Sequence, residues 1–133
     1  MVDFQYVDSY GIEDLLRIME LLRAPGGCPW DREQTHQSIR RNMLEEAYEA
    51  VEAIDEEDPE HLKEELGDLL FAAVKAGRFL GLDSEQALTQ ACDKFIRRFR
   101  TVEELAPRAL KECSLEELEA LWTRAKSHPE AQA

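Results

Sequence analysis

The sequence predicts an all-α protein, an antiparallel bundle of about five helices. Three observations lead to this fold class. Apolar residues recur at three- and four-residue spacing along most of the chain, and the alternation typical of strands is nowhere sustained. Proline, glycine and capping residues divide the chain into segments of helical length with short connections. With 133 residues, 44% of them hydrophobic, the chain is long enough for one domain with its own core.

Local start and stop signals set the helix boundaries. A loop is predicted over residues 24–29, which contain two prolines and two glycines. Asp58 followed by Pro59 is typical of a helix start, Gly81 of a helix end, and Ser114 opens a capping box. The predicted helices cover residues 11–23, 38–55, 59–80, 84–105 and 114–126.

Two of the predicted helices carry notable apolar surface. On the second helix, one face collects the apolar residues Leu44, Ala47, Tyr48, Val51 and Ile54. Residues 69–74 of the third helix are apolar around the whole circumference. Such a helix is usually buried on all sides, in a bundle centre or in a subunit interface. We therefore expect self-association.

Charge and cysteine content exclude several classes of function. The chain has 16 Lys and Arg against 29 Asp and Glu, a net charge of -13. This balance argues against binding to nucleic acid or to an anionic membrane surface. Three cysteines without a CxxC pair argue against a disulfide framework or a zinc site. Because no signal-peptide-like or 18-residue apolar run is present, we predict a cytoplasmic location.

Two acidic clusters lie on consecutive predicted helices. The second helix carries Glu45, Glu46 and Glu49, and the third carries Glu65 and Asp68. Residues three apart on a helix share a face, with about 5–6 Å between their Cβ atoms. The short turn between the helices makes them antiparallel neighbours. Two carboxylates from each helix could therefore converge on one volume.

Such a convergence is unfavourable without a cation. Two unit charges ~6 Å apart repel by roughly 3 kcal/mol at an effective dielectric constant of 20. Mg²⁺ or Mn²⁺ suits an all-oxygen site that keeps positions for water and a substrate phosphate. The alternative is that both clusters are solvated surface, as acidic helices often are. The residues alone leave both interpretations open.

The chain resembles the MazG nucleoside triphosphate pyrophosphohydrolases over roughly residues 12–126. Ordered blocks carry the resemblance: Gly27-Cys28-Pro29-Trp30-Asp31-Arg32-Glu33-Gln34-Thr35-His36, Leu44-Glu45-Glu46-Ala47-Tyr48-Glu49, Glu64-Glu65-Leu66-Gly67-Asp68-Leu69-Leu70, and the later segments 94–103 and 121–126. The resemblance implies a single all-α domain over residues 1–133, assembled as a homodimer or homotetramer. It also implies Mg²⁺-dependent hydrolysis of a nucleoside triphosphate to the monophosphate and pyrophosphate, with Mn²⁺ as a possible substitute.

The resemblance also implies roles for acidic residues. Glu46, Glu49, Glu65 and Asp68 match the family's metal ligands. Glu45 matches the neighbouring carboxylate that helps to orient or deprotonate a water attacking the α-phosphorus. A bound cation lowers the pKa of such a water.

Further residues are candidates for substrate binding. Lys94 and Arg98 match positions that contact the triphosphate, and Trp122 and Lys126 match a late substrate-contacting pair. The other two candidates are Asn42, on the face of Glu46 and Glu49, and Trp30, in the Pro/Gly-rich segment.

Alternatives remain for several of these residues. Lys94 and Arg98 could be a surface pair that balances nearby glutamates, and Trp122 could be a core residue. Trp30 could stack on a base or close the end of the bundle. His61 is interpreted as an ordinary polar residue, at a position where relatives may carry a lysine that faces phosphate.

Two rival functions also stay open at this point. One is a narrower relative in the same superfamily, such as a dUTP hydrolase or a phosphoribosyl-ATP pyrophosphatase. The other is a non-catalytic helical scaffold that binds metal or a partner helix.

Overall fold

The computed structural model describes residues 2–129, and all regular structure within this range is helical. The α-helices are α1 Ile12–Arg23, α2 Pro29–Arg32, α3 His36–Asp55, α4 Pro59–Phe79, α5 Ser84–Leu105 and α6 Leu115–Ser127, with a 3-10 turn at Leu110–Glu112. The predicted all-α fold class is thereby confirmed. Residue 1 and residues 130–133 of the predicted domain lie outside the described range.

The chain divides into two compact units at the start of α5. Residues up to Ser84 form the first unit and residues from Glu85 onward form the second unit. In the first unit, α4 packs against α3 and α1, and α1 contacts α2. The expectation of a single domain over residues 1–133 stays a prediction.

The helix starts in the first unit differ from the prediction in three places. α1 begins at Ile12, one residue after the predicted start, with Gly11 as its N-cap residue. α3 begins at His36, two residues before the predicted start, because Thr35 caps it: the Ser38 amide donates to the Thr35 hydroxyl at 3.1 Å. The predicted loop over residues 24–29 ends one residue early, at Cys28. Pro29 opens the four-residue helix α2, since proline is already shaped for a first helical position.

The turn between α1 and α2 depends on a glycine. The Cys28 amide donates to the Leu22 carbonyl at 2.8 Å, which folds the chain back onto the end of α1. A Cβ atom on Gly27 would collide with the carbonyl oxygens of Leu21 and Leu22. The turn therefore requires glycine at this position because no side chain fits.

The other helix ends follow the predicted signals closely. The Asp58 side chain accepts from the Glu60 and His61 amides at the start of α4. α4 ends at Phe79 rather than at residue 80, and Gly81 adopts a positive φ of 72° just beyond it, as a helix-ending glycine does.

The packing faces of α3 and α4 differ from those that the apolar pattern suggests. On α3 the buried side chains include Ala50 and Ala53, whereas its apolar face is exposed in the chain taken alone: Leu44, Tyr48, Val51 and Ile54. On α4, Ala72 and Val74 are buried, but Leu70 is 65% exposed. Residues 69–74 are therefore not buried on all sides within this chain, because Leu70, Phe71 and Ala73 are exposed.

The second unit has a small core at the end of α5. Val102, Leu121 and Ala125 are buried together. α5 matches the predicted span of 84–105, and α6 runs from Leu115 to Ser127, with Ser114 as its capping residue. None of the helices within residues 2–129 is both long and apolar enough to span a membrane.

Candidate metal centre

The α3–α4 hairpin brings three carboxylates together. Glu46 and Glu49 lie one turn apart on α3, and Glu65 faces them from α4. One carboxylate oxygen from each of the three lies within 4.8 Å of the others. We call these three residues the acidic cluster. The sequence predicts two carboxylates from each helix at this place, and the structure groups Glu65 but not Asp68 with Glu46 and Glu49.

Burial makes the acidic cluster unusual for glutamate side chains. Glu65 is only 8% exposed and Glu46 is half-buried, while Glu49 is exposed. The Oε2 atoms of Glu46 and Glu65 are both buried, and no hydrogen-bond donor among the described residues reaches them. A buried carboxylate oxygen without a donor is energetically costly. The cluster therefore has unused capacity to hold a positively charged ligand.

The electrostatics of Glu46 reflect this crowding. Its pKa is raised above the ordinary value of 4.5, first by burial and then by the negative charges of Glu49, Asp68, Glu65 and Glu45. A cation would reverse both effects, because it compensates for the lost hydration and for the repulsion.

The pKa of Glu65 is also raised, although one contact acts to lower it. Burial raises its pKa most, and the adjacent Glu49 carboxyl raises it further, since the two can share a proton. His61 acts in the opposite direction, because its Nε2 atom lies 3.1 Å from Glu65 Oε1. The other ring nitrogen of His61, Nδ1, lies 2.8 Å from Glu56 Oε2. The two carboxylates raise the pKa of His61, with the Glu56 hydrogen bond as the largest cause.

The remaining acidic candidates surround the cluster. Asp68 is exposed one turn after Glu65 on α4, and is not among the three residues whose oxygens lie within 4.8 Å. Its charge nevertheless raises the pKa of Glu46. Glu45 is also exposed and lines an open groove along α3 that includes Tyr48 and Glu49. Asn42 is half-buried one turn before Glu46.

Trp30 lies on α2, not on the hairpin that carries the acidic cluster. The residue is 75% exposed, and Lys75 Nζ lies 5.9 Å from the ring centroid. Gln34 Nε2 donates to the Trp30 carbonyl at 3.3 Å. The side chain therefore does not close a bundle end within this chain, because most of its surface is accessible.

The other substrate-binding candidates belong to the second unit. Lys94 is exposed on α5, whereas Arg98 is half-buried, and its Nε atom has no acceptor within residues 2–129. Trp122 packs beside Phe95 with 5.6 Å between ring centroids, on the wall of an apolar cavity of about 390 Å³. Lys126 is exposed near the end of α6. Trp122 thus has the surroundings of a packing residue together with a face on a cavity.

His61 is the residue whose importance the sequence analysis missed. The sequence indicates an ordinary polar side chain, whereas in the structure its ring contacts the carboxylates of Glu56 and Glu65. One signal was present in the sequence, because Glu65 follows His61 by four residues and such pairs face each other on a helix. The contact with Glu56 had no such signal, since it depends on the turn between α3 and α4.

Comparisons with known proteins identify the family of this chain. A family model described as the MazG nucleotide pyrophosphohydrolase domain matches residues 34–103, which is more than half of the chain. The chain belongs to the MazG family. The matched segment contains the whole acidic cluster together with Lys94 and Arg98.

Named relatives extend the similarity beyond the matched segment. The chain is 39% identical to a nucleoside triphosphate pyrophosphohydrolase of Escherichia coli K12, over 91% of this chain and 46% of that protein. It is 55% identical to the nucleoside triphosphate pyrophosphohydrolase/pyrophosphatase MazG of Thermotoga maritima, over 47% of this chain and 24% of that protein. The chain thus spans less than half the length of these two relatives.

A solved structure supports the fold. The crystal structure of a mazG-related protein from Thermotoga maritima matches with a TM-score of 0.63 and 29% identity, covering 88% of this chain and all of that one. The similarity reaches well beyond the α3–α4 hairpin. A MazG all-α fold is therefore shown for this chain as well as family membership.

Proposed function

We propose that this MazG chain hydrolyses a nucleoside triphosphate to the monophosphate and pyrophosphate, with Mg²⁺ as cofactor and Mn²⁺ as a possible substitute. Family membership supports the reaction class, and the names of the relatives support the substrate class. The acidic cluster supports the metal requirement. A role in clearing unwanted nucleotides, in the cytoplasm, is the corresponding biological prediction.

One observation carries the proposal. Two of the three clustered glutamates have a buried Oε2 atom that no donor among the described residues reaches. Hard divalent cations take oxygen ligands of this kind. A purely structural hairpin would gain stability by replacing these carboxylates with amides or apolar groups.

We assign Glu46, Glu49, Glu65 and Asp68 as the metal ligands. Three of them form the acidic cluster, and Asp68 lies one turn from Glu65. A divalent cation bound there would lower the pKa of a coordinated water and neutralise charge on the substrate phosphates. Glu45 is assigned to orient that water or accept its proton, because its exposed carboxylate lies next to Glu46 in the sequence.

The reaction is displacement at the α-phosphorus. The water oxygen bonds to this phosphorus, the bond to the bridging oxygen breaks, and pyrophosphate leaves. We assign Lys94 and Arg98 to hold the leaving pyrophosphate. Neither forms an ion pair with a carboxylate within the described range, which argues against the alternative that they only balance nearby glutamates.

The remaining candidate residues are assigned to other parts of the substrate. Trp122 and Lys126 are proposed to contact the nucleoside end of the substrate, with Trp30 as a second aromatic surface. Asn42 is proposed to donate to a phosphate or to a bound water, because it lies one turn before Glu46 on α3.

We further propose a homodimer or homotetramer. The exposed apolar face of α3 and the exposed Leu70 and Phe71 of α4 are large side chains that one copy leaves in contact with water. Large apolar side chains that stay exposed in groups are typical of interfaces. A single-copy mass in light scattering at micromolar concentration would contradict this assignment.

The decisive experiment is a nucleotide panel. The eight common nucleoside triphosphates and phosphoribosyl-ATP are each incubated with the protein and Mg²⁺, and pyrophosphate and orthophosphate are measured separately. The proposal expects pyrophosphate with little orthophosphate, and loss of product when the metal is chelated.

The panel also separates the rival functions. Turnover of dUTP alone or of phosphoribosyl-ATP alone would identify a narrower enzyme of the same superfamily. No turnover of any of these substrates with Mg²⁺ or Mn²⁺ would favour a non-catalytic scaffold.

A further inference from the structure

His61 links the turn between α3 and α4 to the acidic cluster. Its ring lies between two carboxylates, with Nδ1 2.8 Å from Glu56 Oε2 and Nε2 3.1 Å from Glu65 Oε1. Its backbone is fixed as well, because the His61 amide donates to Asp58 Oδ1 at 3.3 Å. His61 is thus held by hydrogen bonds at both its backbone and its ring.

The two carboxylate oxygens of Glu65 have different surroundings. Oε1 is in contact with His61, while Oε2 is buried and receives no donor from the described residues. A carboxylate held through one oxygen cannot rotate freely about its terminal torsion. Glu65 therefore offers one defined oxygen to a ligand.

We propose that His61 is a positioning residue, which uses Glu56 as its anchor and holds Glu65 Oε1 so that Oε2 is presented to the bound cation. The inference rests on the metal site of the proposed function. Metal-ligating side chains are commonly oriented by a second set of hydrogen bonds. Losing such a partner typically weakens metal binding by about 10–100-fold.

The test is Mn²⁺ binding in the absence of nucleotide. Electron paramagnetic resonance of the free ion measures the binding. We expect His61→Ala to weaken Mn²⁺ binding by about 10–100-fold. His61→Gln, whose amide nitrogen can still donate to Glu65, should recover much of that loss. Glu56→Gln should weaken binding less than His61→Ala, because the ring keeps its contact with Glu65.

Simple charge effects predict a different pattern. Removing the ring, which carries positive charge when protonated, would strengthen binding of a cation if only net charge mattered. The matched control is Glu60→Gln, which removes one negative charge from the residue next to His61 and should leave the affinity unchanged.

The outcomes distinguish this inference from the proposed function. Mn²⁺ binding to wild type that is equally tight or tighter in His61→Ala would overturn the positioning role and leave the metal site intact. Absence of Mn²⁺ binding to wild type would overturn both. Thermal melting by circular dichroism checks the fold of each variant. If His61→Ala does not fold, Glu56→Gln and the Glu60→Gln control decide. Weaker Mn²⁺ binding in Glu56→Gln but not in Glu60→Gln would support the positioning role, and equal affinities of wild type, Glu56→Gln and Glu60→Gln would overturn it.

Discussion

Glu65 in the first unit and Glu117 in the second unit are both helical glutamates, but their surroundings are opposite. Glu117 accepts two hydrogen bonds from Arg108 Nη2, at 2.6 Å to each oxygen, and one from the Ser114 amide at 2.7 Å. Glu65 is buried against other carboxylates, and one of its oxygens has no donor within residues 2–129.

The pKa values of Glu117 and Glu65 are shifted in opposite directions. The Ser114 amide and Arg108 lower the pKa of Glu117 below its ordinary value, whereas burial and Glu49 raise that of Glu65. A carboxylate with a lowered pKa stabilises the folded state, and one with a raised pKa opposes folding while it is charged. Glu117 therefore serves the fold, whereas the surroundings of Glu65 are those expected of the proposed metal ligand.

The largest expected effect is on catalysis. Glu46→Gln and Glu65→Gln keep the size of the side chain but remove a proposed metal ligand, so kcat/KM should fall about 100-fold or more. Asp68→Asn should also lose activity if it completes the ligand set. Pyrophosphate release under saturating Mg²⁺ measures the effect.

Glu117→Gln is the matched control, since it makes the same chemical change at the satisfied site. Its activity should stay at the wild-type level while its melting temperature falls. Full activity in Glu46→Gln or Asp68→Asn would show that the ligand assignment is wrong for that residue.

The next effect is stabilisation by the metal. A ligand that binds only the folded state at 100 times its Kd adds about 2.7 kcal/mol to the free energy of unfolding. Mg²⁺ should therefore raise the melting temperature of wild type and of Glu117→Gln. The same titration should leave Glu65→Gln unchanged, and a rise in this variant equal to that of wild type would place the cation elsewhere.

A smaller effect is expected at the start of α6. Ser114→Ala removes the hydroxyl that accepts from the Glu117 amide, so the free energy of unfolding should fall by about 1 kcal/mol. Urea denaturation measures the loss. Mn²⁺ affinity should not change, and a parallel loss of metal binding would mean that the two glutamate sites are not independent.

The smallest expected effect is the pH dependence of stability without metal. Between the ordinary pKa of 4.5 and their raised values, Glu46 and Glu65 bind more protons in the folded state than in the unfolded state. The free energy of unfolding should therefore decrease as pH rises through this window. Urea denaturation in the presence of a chelator at a series of pH values measures the slope, and Glu46→Gln should make it shallower.

Glu117 and His61 also contribute to the pH dependence of the free energy of unfolding. The stabilising contribution of Glu117 is present above pH 4.5 and disappears as pH falls through its lowered pKa. That of His61 is fully present below pH 6.5 and disappears as pH rises through its raised pKa.

If the free energy of unfolding of Glu46→Gln has the same slope against pH as that of wild type, the acidic cluster is not electrostatically strained.

The sequence by itself determined where most helices lie and which acids share a face. Asp58 and Ser114 fix helix starts because they accept from amides two or three residues away. The three-residue spacing of Glu46 and Glu49 likewise fixes their common direction. Such signals act within one helical turn, so no partner is needed to predict them.

Only the tertiary structure decided which surfaces pack and how the acids are held. Ala50 and Ala53, not the larger Leu44 and Val51, are buried on α3, because burial depends on the neighbouring helix and not on side-chain type alone. The contact from Glu56 through His61 to Glu65 also depends on the tertiary fold, because the path of the α3–α4 turn sets the distance between the carboxylates of Glu56 and Glu65.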